Sequence, residues 1–443
     1  MTLQKYPKMK DSGVEWIGEI PESWNVAPLK FIGKLNSGGT PSTGNSEYWD
    51  NGTIPWISSG EVNNNSITKC IKKITKLGLI ESSAKLFPKE SVLIAITGEG
   101  ATRGRTSILK IEATTNQSVV GIVSNQKKHY SHFIWYYLQS QYSHLRNSSH
   151  GSVQSGLNLD ILRNYPISLQ KILEQKQIVN FLDGKTKIID QEISKSKKLI
   201  ELIKEKRQSL INHVVTKGLD DSVPMKDSGI DWVGDIPEDW KVSKIKFVSD
   251  VTGRIGYRGY TINDIVSEGE GAITLSPSNI IDDKFNMNKK TYLTWKKYEE
   301  SPEIQIFENN ILLVKTGSTI GKVCMVPDYR EKMTINPQLV VLKPFKITPK
   351  FLLFFMTSNK YKDQIYSSIV GGSTPTISQQ EILNHYILFP PRTEQNHIIS
   401  YIDKQTIQMD KLISKVESQI SKLQEFRESL ILSAVTGKIC VTN

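Results

Sequence analysis

Two long segments of the chain, residues 174–217 and 394–437, repeat apolar residues at the seven-residue rhythm of paired helices. A seam kept in register over five heptads favours pairing with another helix over packing on a sheet. Each segment runs into a glycine, Gly218 or Gly437, which is typical of a helix end. The apolar seam residues expected to mediate helix pairing are Leu182, Ile189, Ile193, Ile200, Ile203 and Leu210 in the first segment, and Ile402, Met409, Ile413, Ile420, Leu423 and Leu430 in the second.

Polar residues interrupt both seams at equivalent places, Thr186 with Thr406 and Arg207 with Arg427. A polar residue in such a seam costs stability but fixes register and partner. Since both helices belong to one duplicated chain, we expect them to pair antiparallel about a pseudo-two-fold axis. The alternative is that each helix pairs with a second molecule in a homodimer.

Outside these segments the apolar runs become short and rich in β-branched residues, which predicts strands. Strands are expected at 91–96, 118–123, 311–314 and 339–342, and short amphipathic helices at 132–140 and 350–358. The fold class is therefore mixed α/β: two globular domains of similar fold, separated by two long antiparallel coiled-coil helices.

The two halves of the chain are copies of each other. Of the 24 positions in residues 9–32, fourteen are identical in residues 225–248. A period this long indicates duplication of a whole domain and not a solenoid. The predicted division is a first domain at 1–170, a first long helix at 171–218, a second domain at 219–390, and a second long helix with the C-terminus at 391–443.

Between the shared blocks, residues 33–170 and 249–390 have diverged almost completely. A few landmarks persist, among them Asn116 with Asn336. Copies that keep their frame but lose their interior suggest one scaffold carrying two different specificities. Neutral drift of surface loops is the alternative, and it is less favoured because the strands have diverged too.

The formal net charge of +11 predicts a partner that is negative on average. Nucleic acid is the usual one, and an acidic protein or a membrane surface are the alternatives. The three cysteines lie far apart, which suits a reducing cytoplasm. No signal-like segment opens the chain, and the most apolar run, 351–356, is too short to cross a bilayer, so we expect a cytoplasmic protein with no membrane contact.

Glycine turns at Gly98 and Gly317 follow the strands at 91–96 and 311–314 and lie near cations. Backbone at a glycine can approach a phosphate, and arginine can bind guanine edges. The residues predicted to contact DNA are Arg103, Arg105, Ser152 and Gln154 in the first domain, and Lys315, Lys322, Ser373 and Thr374 in the second. Any single turn of this kind could equally be a solvated turn.

The sequence contains no complete motif for catalysis. The turn 317–322 has three residues between its glycines where a phosphate-binding loop needs four, and Val323 stands where a magnesium-binding hydroxyl should follow. No cysteine or carboxylate cluster joins the histidines into a metal site. We therefore predict no catalytic, cofactor-binding or metal-binding residues in this chain.

The paired openings at 18–24 and 234–240, with the Glu-Gln helix starts at 174–175 and 394–395, resemble the specificity (S) subunit of type I restriction–modification systems. The resemblance covers essentially the whole chain. It departs at 170–173, which reads Gln-Lys-Ile-Leu where the second copy has two prolines.

The resemblance implies that each domain is a target recognition domain reading one half of a bipartite site in double-stranded DNA. It implies that the long helices set the gap between the half-sites and bind two methyltransferase (M) subunits, joined by restriction/motor (R) subunits. S-adenosylmethionine, ATP and magnesium would then serve the partners, with no cofactor and no enzymatic activity in this chain. The alternatives are a coiled-coil adaptor that does not touch DNA and a fused modification enzyme.

Overall fold

The computed structural model describes residues 4–98, 100–147, 157–369 and 374–441. The chain divides into two compact units, Met1–Lys197 with Glu417–Asn443, and Lys198–Val416. Each unit holds one globular module, and two long helices contribute a part to each unit. The mixed α/β class predicted from the sequence is confirmed. Among the described residues, none of the helices is both long and apolar enough to cross a membrane.

The first module alternates short strands with short helices. Its strands are β1 (Met9–Asp11), β2 (Glu19–Pro21), β3 (Asn25–Pro28), β4 (Gly33–Ser37), β5 (Ile54–Ile57), β6 (Ser66–Ile67), β7 (Lys73–Ile74), β8 (Val92–Ala95), β9 (Thr106–Leu109), β10 (Thr114–Thr115), β11 (Val119–Ser124) and β12 (Pro166–Leu169). Its helices are α1 (Lys76–Ile80), α2 (Ser131–Ser140), α3 (Tyr142–Asn147) and α4 (Leu159–Asn164). The long helix α5 (Ile172–Lys217) follows.

The second module repeats this alternation and leads into a second long helix. Its strands are β13 (Met225–Asp227), β14 (Asp235–Pro237), β15 (Lys241–Lys244), β16 (Ser249–Gly253), β17 (Ile265–Val266), β18 (Gly271–Leu275), β19 (Ile280–Ile281), β20 (Lys284–Phe285), β21 (Tyr292–Thr294), β22 (Ile311–Val314), β23 (Val323–Met325), β24 (Met333–Ile335), β25 (Leu339–Pro344) and β26 (Tyr386–Phe389). Its helices are α6 (Trp295–Glu299), α7 (Pro349–Thr357), α8 (Asn359–Ser367) and α9 (Gln379–Asn384), and the long helix is α10 (Arg392–Val435).

Both modules share one sheet topology despite their unlike interiors. The main sheet runs β4-β11-β8-β9-β6 in the first module and β16-β25-β22-β23 in the second, and the four shared strands are antiparallel neighbours. A smaller sheet pairs β5 with β10 in parallel, as β18 pairs with β24. The frame is therefore duplicated at the level of strand pairing, which the diverged sequences do not reveal.

The central strand of each main sheet is buried on both faces. Val92 and Ile94 of β8 join the core formed with α2, whereas Leu93 and Ala95 join a second core on the opposite face. Side chains alternate across a strand with a period of two, so an unbroken apolar run supplies both layers. The strand β22 divides its residues between two cores in the same way.

In each unit the start of one long helix lies in the same core as the end of the other. In the first unit, Leu182 and Ile189 of α5 share a core with Leu430 and Ala434 of α10. In the second unit, residues 210–215 of α5 share a core with residues 398–402 of α10. This is the arrangement expected of antiparallel helices. All twelve seam residues named from the sequence are buried or half-buried.

The Glu-Gln pair in the first turn of each long helix joins the helix to its module through hydrogen bonds. The indole nitrogen of Trp24 donates to Glu174 at 3.0 Å, and that of Trp240 donates to Glu394 at 2.7 Å. The following glutamine accepts a backbone N–H of the module at 2.8 Å in the first copy and 2.9 Å in the second. Both tryptophans are fully buried, so each indole N–H needs a partner.

Candidate nucleic-acid interface

The main sheet of the first module brings three separate loops to one of its ends. Because β4, β11, β8 and β9 are successive antiparallel neighbours, the end of β4 lies beside the start of β11 and the end of β8. Residues 38–45, 96–105 and 116–118, of which residue 99 is not described, follow or precede these strand ends. Backbone bonds join them, from Gly38 to Val119 at 3.0 Å and from Ile96 to Ser118 at 2.9 Å. We call these three segments the loop end of the first module.

The second module repeats this convergence and adds a fourth segment. Residues 254–264, 315–322 and 336–338 meet where β16, β22 and β25 end or begin. Residues 374–377 join them, because Lys315 donates its backbone N–H to Gln338 at 2.8 Å and accepts from Ile377 at 2.9 Å. These four segments form the loop end of the second module.

The two arginines predicted in the first module lie at its loop end, in different environments. Arg105 is exposed, and its guanidinium lies 4.6 Å from the centre of the Tyr142 ring. Its Nε also donates to the carbonyl of Ala101 at 3.2 Å, so the side chain is held in one direction. Arg103 is half-buried, and its Nε makes no hydrogen bond with the described residues.

Arg105 and Lys322 occupy equivalent positions, which the sequence did not reveal. Each is the last residue before the second strand of a hairpin, and its carbonyl accepts the backbone N–H of the last residue of the first strand. The distances are 3.0 Å from Ala95 to Arg105 and 2.9 Å from Val314 to Lys322. The first turn is two residues longer than the second, so the two cations do not align when residues are counted from the preceding strand.

The predicted polar loop of the second module adjoins the glycine turn. Thr374 is exposed, and its neighbour Pro375 accepts the backbone N–H of Gly317 at 2.9 Å. The hydroxyl oxygens of Thr316 and Thr376 are 2.8 Å apart, and this hydrogen bond joins the two segments. Ser152, Gln154 and Ser373 lie outside the described residues.

The sequence analysis did not single out the segment 254–258, which carries basic and aromatic residues. Tyr257 is 81% exposed, and the guanidinium of Arg258 lies 5.6 Å from its ring. Beneath them, Arg254 is buried and donates to Ile335 at 3.0 Å and Thr334 at 3.1 Å. Burial lowers the pKa of the Arg254 guanidinium from its ordinary value. A cation and a large exposed ring together suit stacking on bases and contact with phosphates.

The landmark asparagines shape the loop that enters β11 or β25. The Asn116 side-chain oxygen accepts the N–H of Ser118 at 3.2 Å, and that of Asn336 accepts the N–H of Gln338 at 3.0 Å. Each turn carries an exposed glutamine, Gln117 or Gln338, which the sequence analysis did not single out. The retained asparagine was the signal that could have found them.

The described residues contain no cluster of three or more histidine, cysteine or carboxylate side chains able to hold a metal ion. The loop ends offer exposed amides, hydroxyls and a guanidinium group, together with the half-buried ammonium groups of Lys315 and Lys322, at one end of a sheet. These are the groups that proteins use to contact base edges and phosphates.

Comparison with known proteins gives consistent matches over both halves of the chain. Residues 21–204 and 237–422 match the family model described as type I restriction modification DNA specificity domain. The chain is 24% identical to the type I restriction enzyme MjaIX specificity subunit of Methanocaldococcus jannaschii, over 96% of this chain and 95% of that protein. It is 22% identical to the MjaVIII specificity subunit of the same organism, with the same two coverages.

Among solved structures, one similar chain comes from work on complex assembly and conformational transition of the type I R-M system. It has a TM-score of 0.70 at 14% identity, covering 94% of this chain and 98% of that one. At this identity the similarity is one of fold.

Proposed function

This chain belongs to the type I restriction modification DNA specificity family, and from that membership we propose that each of its two modules reads one half of a bipartite site in double-stranded DNA. The chain is a specificity subunit of the type I restriction–modification class. Its modules, at 1–170 and 219–390, would act as target recognition domains.

One observation carries the proposal. Each module brings three equivalent loops to the same end of its shared four-stranded antiparallel frame, while the residues on those loops differ. Base edges are read by side chains held at fixed positions on a rigid frame, and different side chains select different bases. A repeated frame with unlike loop ends is what two unlike half-sites require.

The groups proposed to contact DNA divide by chemistry. Arginine binds guanine in two places at once, lysine neutralises phosphates, and hydroxyls and amides serve either bases or backbone. The proposed contacts are Arg103, Arg105, Ser152 and Gln154 in the first module and Lys315, Lys322, Ser373 and Thr374 in the second. The net charge of +11 supports a salt-dependent contribution from phosphate contacts.

We further propose that the long helices recruit two methyltransferase subunits, with restriction/motor subunits joining the complex, and that the apolar seam residues hold the helices in register. Catalysis with S-adenosylmethionine, ATP and magnesium would then belong to the partners, and this chain would be a non-catalytic subunit. The relatives that support this inference are themselves named as specificity subunits.

The test is an exchange of one interior at a time. Residues 33–170 are replaced by the corresponding interior of another specificity subunit, and methylated adenines are mapped in cells that supply the partner subunits. We expect one half of the recognised sequence to change and the other to stay.

The matched control replaces residues 249–390 and should change only the opposite half. If either exchange altered both halves, or if the wild-type complex methylated no bipartite sequence, the proposal would be wrong.

A further inference from the structure

Two exposed glutamines lie one register position apart in the matched segments of the two loop ends, since Ser118 is the backbone equivalent of Gln338, and neither was among the predicted contacts. Gln117 and Gln338 both belong to the short segment that enters the strand next to the centre of the main sheet. Each follows the landmark asparagine, by one residue in the first module and by two in the second. The structure therefore presents an exposed glutamine amide beside the landmark asparagine of each module, on otherwise different loops.

A neighbouring donor fixes the orientation of each amide. The oxygen of Gln338 accepts from the side-chain nitrogen of Asn336 at 3.1 Å. The side-chain oxygen of Gln117 accepts from the hydroxyl of Thr40 at 2.5 Å. Thr40 lies on the loop that follows β4. Among the described residues, the side-chain hydrogen bonds of both glutamines involve only the amide oxygen.

The remaining capacity of such an amide matches one base edge. An amide carries two N–H donors and an oxygen with two lone pairs, so one accepted bond leaves both donors and one lone pair. Adenine presents an acceptor at N7 beside a donor at N6 in the major groove, which glutamine binds in two places at once. A held oxygen removes the choice between the two amide orientations and lowers the entropy lost on binding.

We propose that Gln117 and Gln338 are specificity-determining residues, each reading one adenine in the half-site of its own module, with Thr40 and Asn336 as positioning residues. The inference rests on the proposed function, because it assumes that the loop ends face DNA. It goes further by naming the residue and the base.

The second module also supplies the surroundings that such a contact needs. The backbone carbonyl of Gln338 accepts a hydrogen bond from the N–H of Lys315, and a Cβ added at Gly317 would lie 3.5 Å from the side-chain nitrogen of Gln338. The glycine turn therefore packs beside the amide without covering it, since Gln338 is exposed. A nearby cation and an open backbone turn are suited to the adjoining phosphates.

The experiment uses the full chain assembled with its methyltransferase subunits and a randomised duplex DNA library. Gln338→Ala should lower discrimination at one A·T position of a single half-site by roughly 5- to 150-fold, the equivalent of one bidentate contact. Gln117→Ala should do the same in the other half-site, so each variant is the control for the other. Both side chains are exposed, and unchanged thermal unfolding would confirm that the variants fold.

A modified base then separates reading from general affinity. With wild-type complex, 7-deazaadenine at the assigned position should weaken binding, because it lacks the N7 acceptor. With Gln338→Ala, the same substitution should have no further effect. Thr40→Val, which removes only the hydroxyl, should produce a smaller loss in the half-site of the first module.

Three results would overturn the inference: unchanged specificity in both alanine variants, a change in the half-site of the other module, or an equal loss on all sequences, which indicates a phosphate contact. In each case a bipartite wild-type site would leave the proposed function standing. A wild-type complex that selects no bipartite site would instead refute the proposed function itself.

Discussion

The two glycines that end the long helices offer a paired test of how the helices close on the modules. Gly218 and Gly437 both adopt left-handed backbone, with φ of +83° and +73°. Their surroundings differ. A Cβ at Gly437 would lie 2.3 Å and 2.5 Å from two ring carbons of Pro21, whereas the nearest atom to one at Gly218 is a carboxylate oxygen of Glu394 at 3.0 Å.

The expected magnitudes follow from these distances. Alanine in left-handed backbone costs roughly 1–2 kcal/mol at either site. At Gly437 the added methyl also overlaps a proline ring in a packed core, and such overpacking typically costs about 1–3 kcal/mol more. For a unit of this size, each kcal/mol lowers the melting temperature by about 2–4 °C. Gly437→Ala should therefore melt its unit about 2–12 °C further below wild type than Gly218→Ala does.

Hydrogen exchange followed by mass spectrometry measures the two units separately, because peptides containing Trp24 and Trp240 report on different modules. Gly437→Ala should weaken protection around Trp24, and Gly218→Ala should weaken protection around Trp240 by less. Equal losses at the two sites, or a larger loss for Gly218→Ala, would refute the reasoning from packing.

Two further predictions concern charge. Burial lowers the pKa of His385 to about 4, so the unfolded chain binds more protons than the folded chain between pH 4 and the ordinary pKa near 6.5. The free energy of unfolding should therefore fall by about 2 kcal/mol from pH 7 to pH 5. Urea unfolding of wild type and His385→Phe at both pH values checks this, and an equal loss in both proteins would contradict it. The guanidinium of Arg207 lies 2.6 Å from the carboxylate of Asp410, and that of Arg427 lies 2.9 Å from the carboxylate of Asp190. A double-mutant cycle on the first pair should therefore give a coupling energy of about 0.5–1 kcal/mol that shrinks at high salt. A coupling energy of zero at low salt would show that the pair does not stabilise the helices.

Local periodicity determined the long helices and the strands of the main sheets. The helices predicted at 174–217 and 394–437 are observed as α5 and α10, and the strand predicted at 311–314 is β22. Such patterns are short in range, because the periods of 3.6 and 2 residues are properties of the helix and the strand themselves. The duplication was equally visible, since it needs only a comparison of one half with the other.

Which residues share a loop end depends on tertiary contacts that no local pattern reveals. The equivalence of Arg105 and Lys322 and the hydrogen bond from Thr40 to Gln117 both depend on segments distant in sequence. Strand pairing brings them together through hydrogen bonds whose register depends on the whole sheet, and no local pattern encodes that register once the interiors diverge. Local sequence patterns specify a duplicated frame with two long helices, and the pairing of strands sets where each module presents its side chains.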